Sequence, residues 1–217
     1  MLLVVSGPSG VGKGAVTAGL MHALAAEQTD ATTAGIRKSV SWTTREARPG
    51  EVDGQDYVFV TEQAFAERLQ HGGFLEWARV HASWMYGTPR EPVEQALADG
   101  VDIILEIDCQ GARSVRSLLP RDAVLVFIAP PSWGALVTRL ERRDTEVPEQ
   151  LARRLKSAQR ELRAMDMFQY IIVNDDLDQA IAELHAVVVA ERQRTGRSAW
   201  RELSEALLRE AESNGRS

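Results

Sequence analysis

The chain has 217 residues, of which 44% are hydrophobic and 26% charged, so it can bury one ordinary globular core and disorder is not expected. No apolar run approaches the roughly 20 residues of a membrane span, and no basic segment precedes the apolar amino terminus, so we expect neither a span nor a secretory signal and place the protein in the cytoplasm. The net charge of −6 argues against non-specific nucleic-acid binding, and a single cysteine, Cys109, excludes an internal disulfide framework and thiolate zinc clusters.

Short continuous apolar runs at residues 2–6, 102–107, 123–128 and 170–173 are separated by helical patterns. This is the rhythm of an α/β fold whose parallel strands are covered on both faces. The first run leads into GPSGVGKGAV at residues 7–16, where Gly7, Gly10, Gly12 and Lys13 match the phosphate-cradling pattern G-x-x-x-x-G-K-[ST]. Glycines let successive N–H groups turn toward phosphate oxygens, the helix expected over residues 15–26 adds the positive end of its dipole, and the lysine reaches the outer phosphates. Gly14 stands where the pattern places a serine or threonine whose hydroxyl would ligate Mg²⁺, and Ala15 supplies none either. Mg²⁺ commonly keeps several waters, so a water in place of that hydroxyl is compatible with activity.

Residues 39–88 break the α/β rhythm. They hold an alternating stretch, YVFV at residues 57–60, a turn signal in RPGEVDG at 48–54, and a short helix after Thr61, and so read as a small mixed insertion. Ser41, Arg45, Arg48 and Tyr57 can converge on one phosphate, since arginine offers forked donors and hydroxyls complete the shell. Taken alone, two arginines and a turn are more often solvated surface, but their order behind a phosphate loop shifts the balance toward a site. Glu106 and Asp108 lie two residues apart at the carboxyl end of a buried strand, hence on one face, where open α/β sheets place ligands.

Cys109 reads as a buried small hydrophobe, and His22, His71, His81 and His185 as scattered surface or packing residues. The arginine-rich stretch 131–149 suggests a second, more mobile insertion, and two insertions on an α/β core suggest jaws around a site. A helix over 148–165 buries Leu151, Leu155, Ala158, Leu162 and Met165, a further helix begins near Asp176 and ends before Gly196, and a last one over 198–211 is expected to pack as an amphipathic tail.

Taken in order, the phosphate loop, TTREARPGEVDGQDY, FLEWARV, YGT, LEIDCQG, the arginine-bearing lid and IIVNDD closely resemble guanylate kinase over most of the chain. The resemblance implies a P-loop NTPase fold: a three-layer α/β core with a central parallel sheet (residues 1–36, 89–130 and 156–217), a mixed α/β monophosphate-binding insertion (37–88) and a helical lid (131–155). ATP would then lie on Gly7, Pro8, Ser9, Gly10, Val11, Gly12, Lys13, Gly14 and Asn174. Ser41, Arg45, Arg48, Tyr57 and Tyr86 would hold the GMP phosphate, while Glu76, Thr88 and Asp108, helped by Ser41, would read guanine. Lys13, Arg45, Arg139, Arg143 and Arg154 would be catalytic, and Glu106 and Asp108 would hold Mg²⁺ through water.

The guanine assignment also has a rationale in the base itself. Its Watson–Crick edge offers N1–H and N2–H₂ donors that suit carboxylates, whereas adenine offers a donor and an acceptor. Glu76 alone could equally be an exposed carboxylate near Arg79. Two features depart from the family pattern. The segment 77–85 is slightly longer and lacks a glycine and the first tyrosine, which bears on Tyr86, and Asp144 occupies a usual lid glycine. The implied activity is transfer of the ATP γ-phosphoryl group to GMP, and to dGMP, by a monomer or small homo-oligomer with no nucleic-acid or membrane partner. The alternatives are a ribose 1,5-bisphosphate phosphokinase type and an inactive module that binds phosphorylated peptides.

Overall fold

The computed structural model describes residues 1–27, 35–80, 84–142, 148–194 and 199–214. In chain order these form β1 (Leu2–Ser6), α1 (Lys13–Glu27), β2 (Ile36–Lys38), β3 (Trp42–Thr43), β4 (Val58–Phe59), α2 (Glu62–Gln70), β5 (Phe74–Val80), β6 (Trp84–Pro89) and α3 (Arg90–Ala98). They continue as β7 (Asp102–Glu106), α4 (Cys109–Leu118), β8 (Ala123–Ala129), α5 (Trp133–Arg142), α6 (Pro148–Leu162), a 3-10 turn (Met165–Met167), β9 (Tyr170–Val173), α7 (Leu177–Arg192) and α8 (Ala199–Asn214).

Five parallel strands in the order β2-β7-β1-β8-β9 make the central sheet. Because successive strand residues point to opposite faces, Leu3 and Val5 join one core while Leu2 and Val4 join another. The first core is closed by Val16, Leu20 and Leu24 of α1, Leu136 and Leu140 of α5, and Ala180, Leu184 and Val188 of α7. The second is closed by Val93 and Ala96 of α3 and Ala112 and Val115 of α4. Burial on both faces is why these strands read as unbroken apolar runs. All four expected strands are present, with β7 ending one residue earlier and β8 one residue later than the runs suggested. The fifth, β2, is a short edge strand whose exposed Arg37 and Lys38 hide it from a search for apolar runs.

The insertion builds a second, mixed sheet in the order β4-β3-β6-β5. Its small core is Phe65, Phe74 and Met85, with Phe65 of α2 stacked on Phe74 at 4.4 Å between ring centroids. The helix starts where expected, the Thr61 hydroxyl accepting the Ala64 N–H at 3.2 Å as an N-cap. The YVFV stretch yields only the two-residue β4. The turn takes its bonds elsewhere: Asp53 accepts the Phe59 N–H (2.9 Å) and Asp56 accepts the Val52 N–H (2.8 Å).

Two helices differ from expectation. α6 ends at Leu162 rather than 165, and a 3-10 turn carries the chain back toward β9. Its apolar stripe still packs, with Leu151, Leu155 and Ala158 on the first core and Leu162 and Met165 on the second. α8 does not pack as a tail: its Leu203, Leu207 and Leu208 are 60%, 56% and 60% exposed, and none of them belongs to either core. Among the described residues no helix is long and apolar enough to cross a membrane.

Phe65 is the one fully buried member of the second sheet's core, stacked on Phe74 and packed with Met85. Phe65→Ala should therefore cost roughly 3–5 kcal/mol locally, read as a separate early step in urea unfolding followed by tryptophan fluorescence of Trp42. Unfolding indistinguishable from the parent chain would show that α2 is held by other contacts.

Candidate functional site

The loop between β1 and α1 has the backbone that its glycines require. Gly7 and Gly12 have φ of 138° and 91°, and a Cβ on Gly7 would fall 2.2 Å from the Ile128 carbonyl oxygen. Lys13 Nζ donates to the carbonyls of Gly7 (2.5 Å) and Pro8 (3.2 Å), so it lies over its own loop. Buried Asn174, just past β9, donates from Nδ2 to the Val11 carbonyl (2.6 Å), and its own carbonyl accepts from Arg139 Nη1 (2.9 Å). The structure thus brings Arg139 and Asn174 to the loop, with Asn174 bracing it from beneath.

Gly14 is answered by a carboxylate. A Cβ at Gly14 would sit 3.7 Å from Glu106 Oε2. Glu106 Oε1 is tethered twice, by the Thr17 hydroxyl, which donates to it from one helical turn beyond Lys13, and by Lys38 Nζ at 2.9 Å. Asp108 accepts the Gly111 N–H at 2.8 Å through Oδ1 and so caps α4, leaving its other oxygen for a ligand. Carboxylate and hydroxyl oxygens are the donors Mg²⁺ prefers, and no cluster of three or more His, Cys, Asp or Glu occurs among the described residues. The set fits an ion held mainly by phosphates and water.

Beside the second sheet, Arg45 is 6% exposed and enclosed by aromatic rings. Its Nε donates to Tyr86 Oη (3.1 Å), Nη1 to the Glu46 carbonyl (2.6 Å) and Nη2 to Glu51 Oε1 (2.8 Å), and its guanidinium lies 5.5 Å from the Tyr57 ring centroid. Burial opposes the Arg45 charge, but the bonds to Glu51 and Tyr86 outweigh it and raise its pKa. The same hydrogen bond from Arg45 lowers the Glu51 pKa, and burial, then the neighbouring Tyr86, raises that of Tyr57. Tyr86 therefore joins this cluster despite the altered 77–85 segment. The Arg48 side chain does not: it is exposed, and only its backbone N–H reaches the cluster, donating to Glu51 Oε2 at 2.7 Å. Ser41 is half-buried at the start of β3.

Glu76 and Thr88 face each other across β5 and β6, and Thr88 Oγ1 donates to Glu76 Oε1 at 2.6 Å. Both are buried, so Glu76 is not the surface carboxylate it could have been. Burial pushes its pKa up to about 7; the Thr88 bond pulls the other way and the Asp108 charge adds to the rise. Among the described residues no cation is hydrogen-bonded to it.

Arg154 lies half-buried on α6, whereas Arg143, Asp144 and His81 fall outside the described residues. His22 and His71 are exposed and His185 bonds Glu27 at 3.0 Å, as expected of surface groups. Cys109 is buried and its thiol is pushed up to about 11, chiefly by burial, consistent with a packing role. Sequence reasoning missed four residues here. Thr17 and Glu51 had a signal, since one lies a helical turn beyond Lys13 and the other sits inside the turn between the two arginines. Lys38 and Glu161 had none; Glu161, on the last turn of α6, has its pKa raised by burial while the Lys13 charge opposes the rise.

A parallel sheet whose first strand opens into this loop and helix, facing a second sheet that carries an enclosed arginine, defines a P-loop nucleotide-binding protein. The sequence matches the guanylate kinase family over residues 1–191. It is 50% identical over 198 residues to the guanylate kinase of Symbiobacterium thermophilum, covering 91% of this chain and 89% of that one. It is 45% identical over 196 residues to that of Thermus thermophilus, covering 90% and 84%. The crystal structure of guanylate kinase from Anaplasma phagocytophilum aligns with a TM-score of 0.73 at 33% identity over 95% of this chain and 94% of that one. The chain belongs to the guanylate kinase family, and its fold is that of the P-loop NTPases.

The raised Glu76 pKa has a stability consequence whose sign is fixed. The folded chain holds this proton to about pH 7 and the unfolded chain only to about 4.5, so the stabilisation is present below 4.5 and is lost as pH rises through 7. Glu76→Gln keeps the Thr88 bond and removes the titration. Relative to the parent, the variant should gain on the order of 3 kcal/mol between pH 5 and pH 8 in urea denaturation without ligand. A stability difference that does not change with pH would contradict the assignment.

Proposed function

We propose that the protein transfers the γ-phosphoryl group of ATP to GMP, and to dGMP, giving ADP and GDP for purine nucleotide metabolism in the cytoplasm. The observation that carries the acceptor choice is Glu76, a buried carboxylate bonded to a hydroxyl and to no cation among the described residues. Two donors on guanine's Watson–Crick edge match Glu76 and the oxygen of Asp108 left over from the α4 cap; adenine presents one donor there, and a sugar bisphosphate presents none of this edge. Thr88 orients Glu76, and Ser41 completes the base pocket.

Arg45 with Tyr57 and Tyr86 would take the GMP phosphate, exchanging the Glu51 carboxylate for the ligand's oxygens, while Arg48 reaches in from the exposed turn. On the donor side the amide groups from Gly7 to Gly14 cradle the phosphates, and Lys13 turns from the Gly7 and Pro8 carbonyls to phosphate oxygens. Glu106 and Asp108, through water, would hold Mg²⁺, whose chemistry is to neutralise charge on the ATP phosphates.

No general base is assigned, because the acceptor is a phosphate oxygen already mostly ionised near neutral pH. What the chain supplies is placement and charge neutralisation of two anions. Arg139, Arg143 and Arg154 would close over the triphosphate and exclude water, the competing acceptor. The intact loop and Lys13 speak against a binding module without catalysis. A monomer is sufficient for this chemistry.

Purified protein with ATP and Mg²⁺ should form ADP rapidly with GMP and far more slowly with AMP, CMP, UMP or ribose 1,5-bisphosphate. Arg45→Gln should lower kcat/KM for GMP roughly a hundredfold or more with the circular-dichroism spectrum unchanged. Turnover driven by the sugar bisphosphate instead of GMP would replace the reading, and an Arg45→Gln enzyme of full activity would remove Arg45 from the mechanism.

A further inference from the structure

The LEIDCQG motif ends in a glycine that the catalytic and binding roles leave unused. Gly111 is buried in the first turn of α4 and is not among the glycines of positive φ, so the backbone does not demand glycine there. Alanine would be the better helix former. The position is instead constrained by its neighbours. A Cβ on Gly111 would lie 2.6 Å from Glu76 Oε2, 3.1 Å from Glu76 Cδ and 3.3 Å from Ile107 Cδ1. Glu76 is buried and its other oxygen is held by Thr88, so its carboxylate cannot yield without breaking that bond. The backbone of the same residue serves the other acid, since the Gly111 N–H fixes Asp108 Oδ1 at 2.8 Å.

We propose that Gly111 is the positioning residue for guanine selection, its N–H orienting Asp108 and its missing side chain leaving the space in which Glu76 presents its carboxylate to the base. The proposal rests on the guanine-reading roles of Glu76 and Asp108. Residues of α4 thereby link the two acids, one on β5 and one at the end of β7, so that both are set by the same helical turn. A methyl group at 111 leaves the N–H in place and meets Glu76 most closely, with Ile107 Cδ1 further off at 3.3 Å, which makes the effect on the two acids separable.

The test is Gly111→Ala, assayed with GMP, AMP and ATP varied in turn. Displacing one of the paired acceptors should raise KM for GMP about 10- to 100-fold and narrow the preference for GMP over AMP by a similar factor. KM for ATP should move by less than about twofold, because the clash does not touch the phosphate loop. Shortening the acid should relieve the clash: Glu76→Asp should impair GMP use less in the Gly111→Ala background than in the parent, a coupling that general loosening of α4 would not produce. Unchanged GMP preference, losses shared equally by GMP and ATP, or strictly additive effects in the double variant would each overturn the proposal. So would a Gly111→Ala chain that no longer melts cooperatively, since the contact is with a side chain and not with backbone. Failure of the parent enzyme to use GMP at all would instead sink the underlying functional reading.

Discussion

The phosphate loop is clamped from below. Gly7 passes so close to β8 that a Cβ would meet the Ile128 carbonyl oxygen at 2.2 Å, and Asn174, at the end of β9, takes the Val11 carbonyl at 2.6 Å. Leu140 and Leu136 of α5 fill the space beside Gly10. Three elements therefore fix the path of the loop backbone. Because Arg139 is bonded to the Asn174 carbonyl, α5 is anchored to the same residue that braces the loop.

The second sheet and its loops carry the opposite problem, since two ionisable side chains, Arg45 and Glu76, are buried there. Arg45 is enclosed, and its burial is tolerable because Glu51 and Tyr86 satisfy it. Removing Glu51 would leave this buried cation with only the neutral Tyr86 and Glu46 carbonyl partners and no bonded anion. Glu76 has no such counter-ion among the described residues. Its carboxyl is destabilising when ionised and the fold retains it, the pattern expected where stability is given up for recognition. In a protein of net charge −6, Arg45 is thus a local enclosed cation set against the sign of the overall charge.

The legibility of these parts in the sequence depends on how each is built. Strands β1, β7, β8 and β9 are buried on both faces, so continuous apolar runs reveal them almost to the residue. Strands β2, β3 and β4 are short and owe their position to neighbouring strands and side-chain bonds, and periodicity cannot see either. The leucines of α8 form a helical stripe but find no surface to cover, because a stripe reports amphipathicity and not the presence of a partner. Arg45 and Tyr86 meet as the motif order suggested, while Arg48 stays outside because the Glu51 carboxylate takes its backbone and leaves its side chain in solvent.

The missing hydroxyl after Lys13 shows where sequence order alone gives out. Gly14 removes a side chain, and into the vicinity comes Glu106 Oε2, from a strand far away in the chain. The hydroxyl has not vanished from the helix. It reappears at Thr17, one turn further on and buried, where it holds Glu106 Oε1. Lys38 reinforces that hold from β2, the edge strand that leads into the insertion. The oxygen that faces Gly14 is consequently oriented from two elements of the core, α1 through Thr17 and the edge strand β2 through Lys38. A serine at position 14 would offer an oxygen fixed to the loop itself; here the nearby oxygen is carried by Glu106, at the end of a different strand of the same sheet.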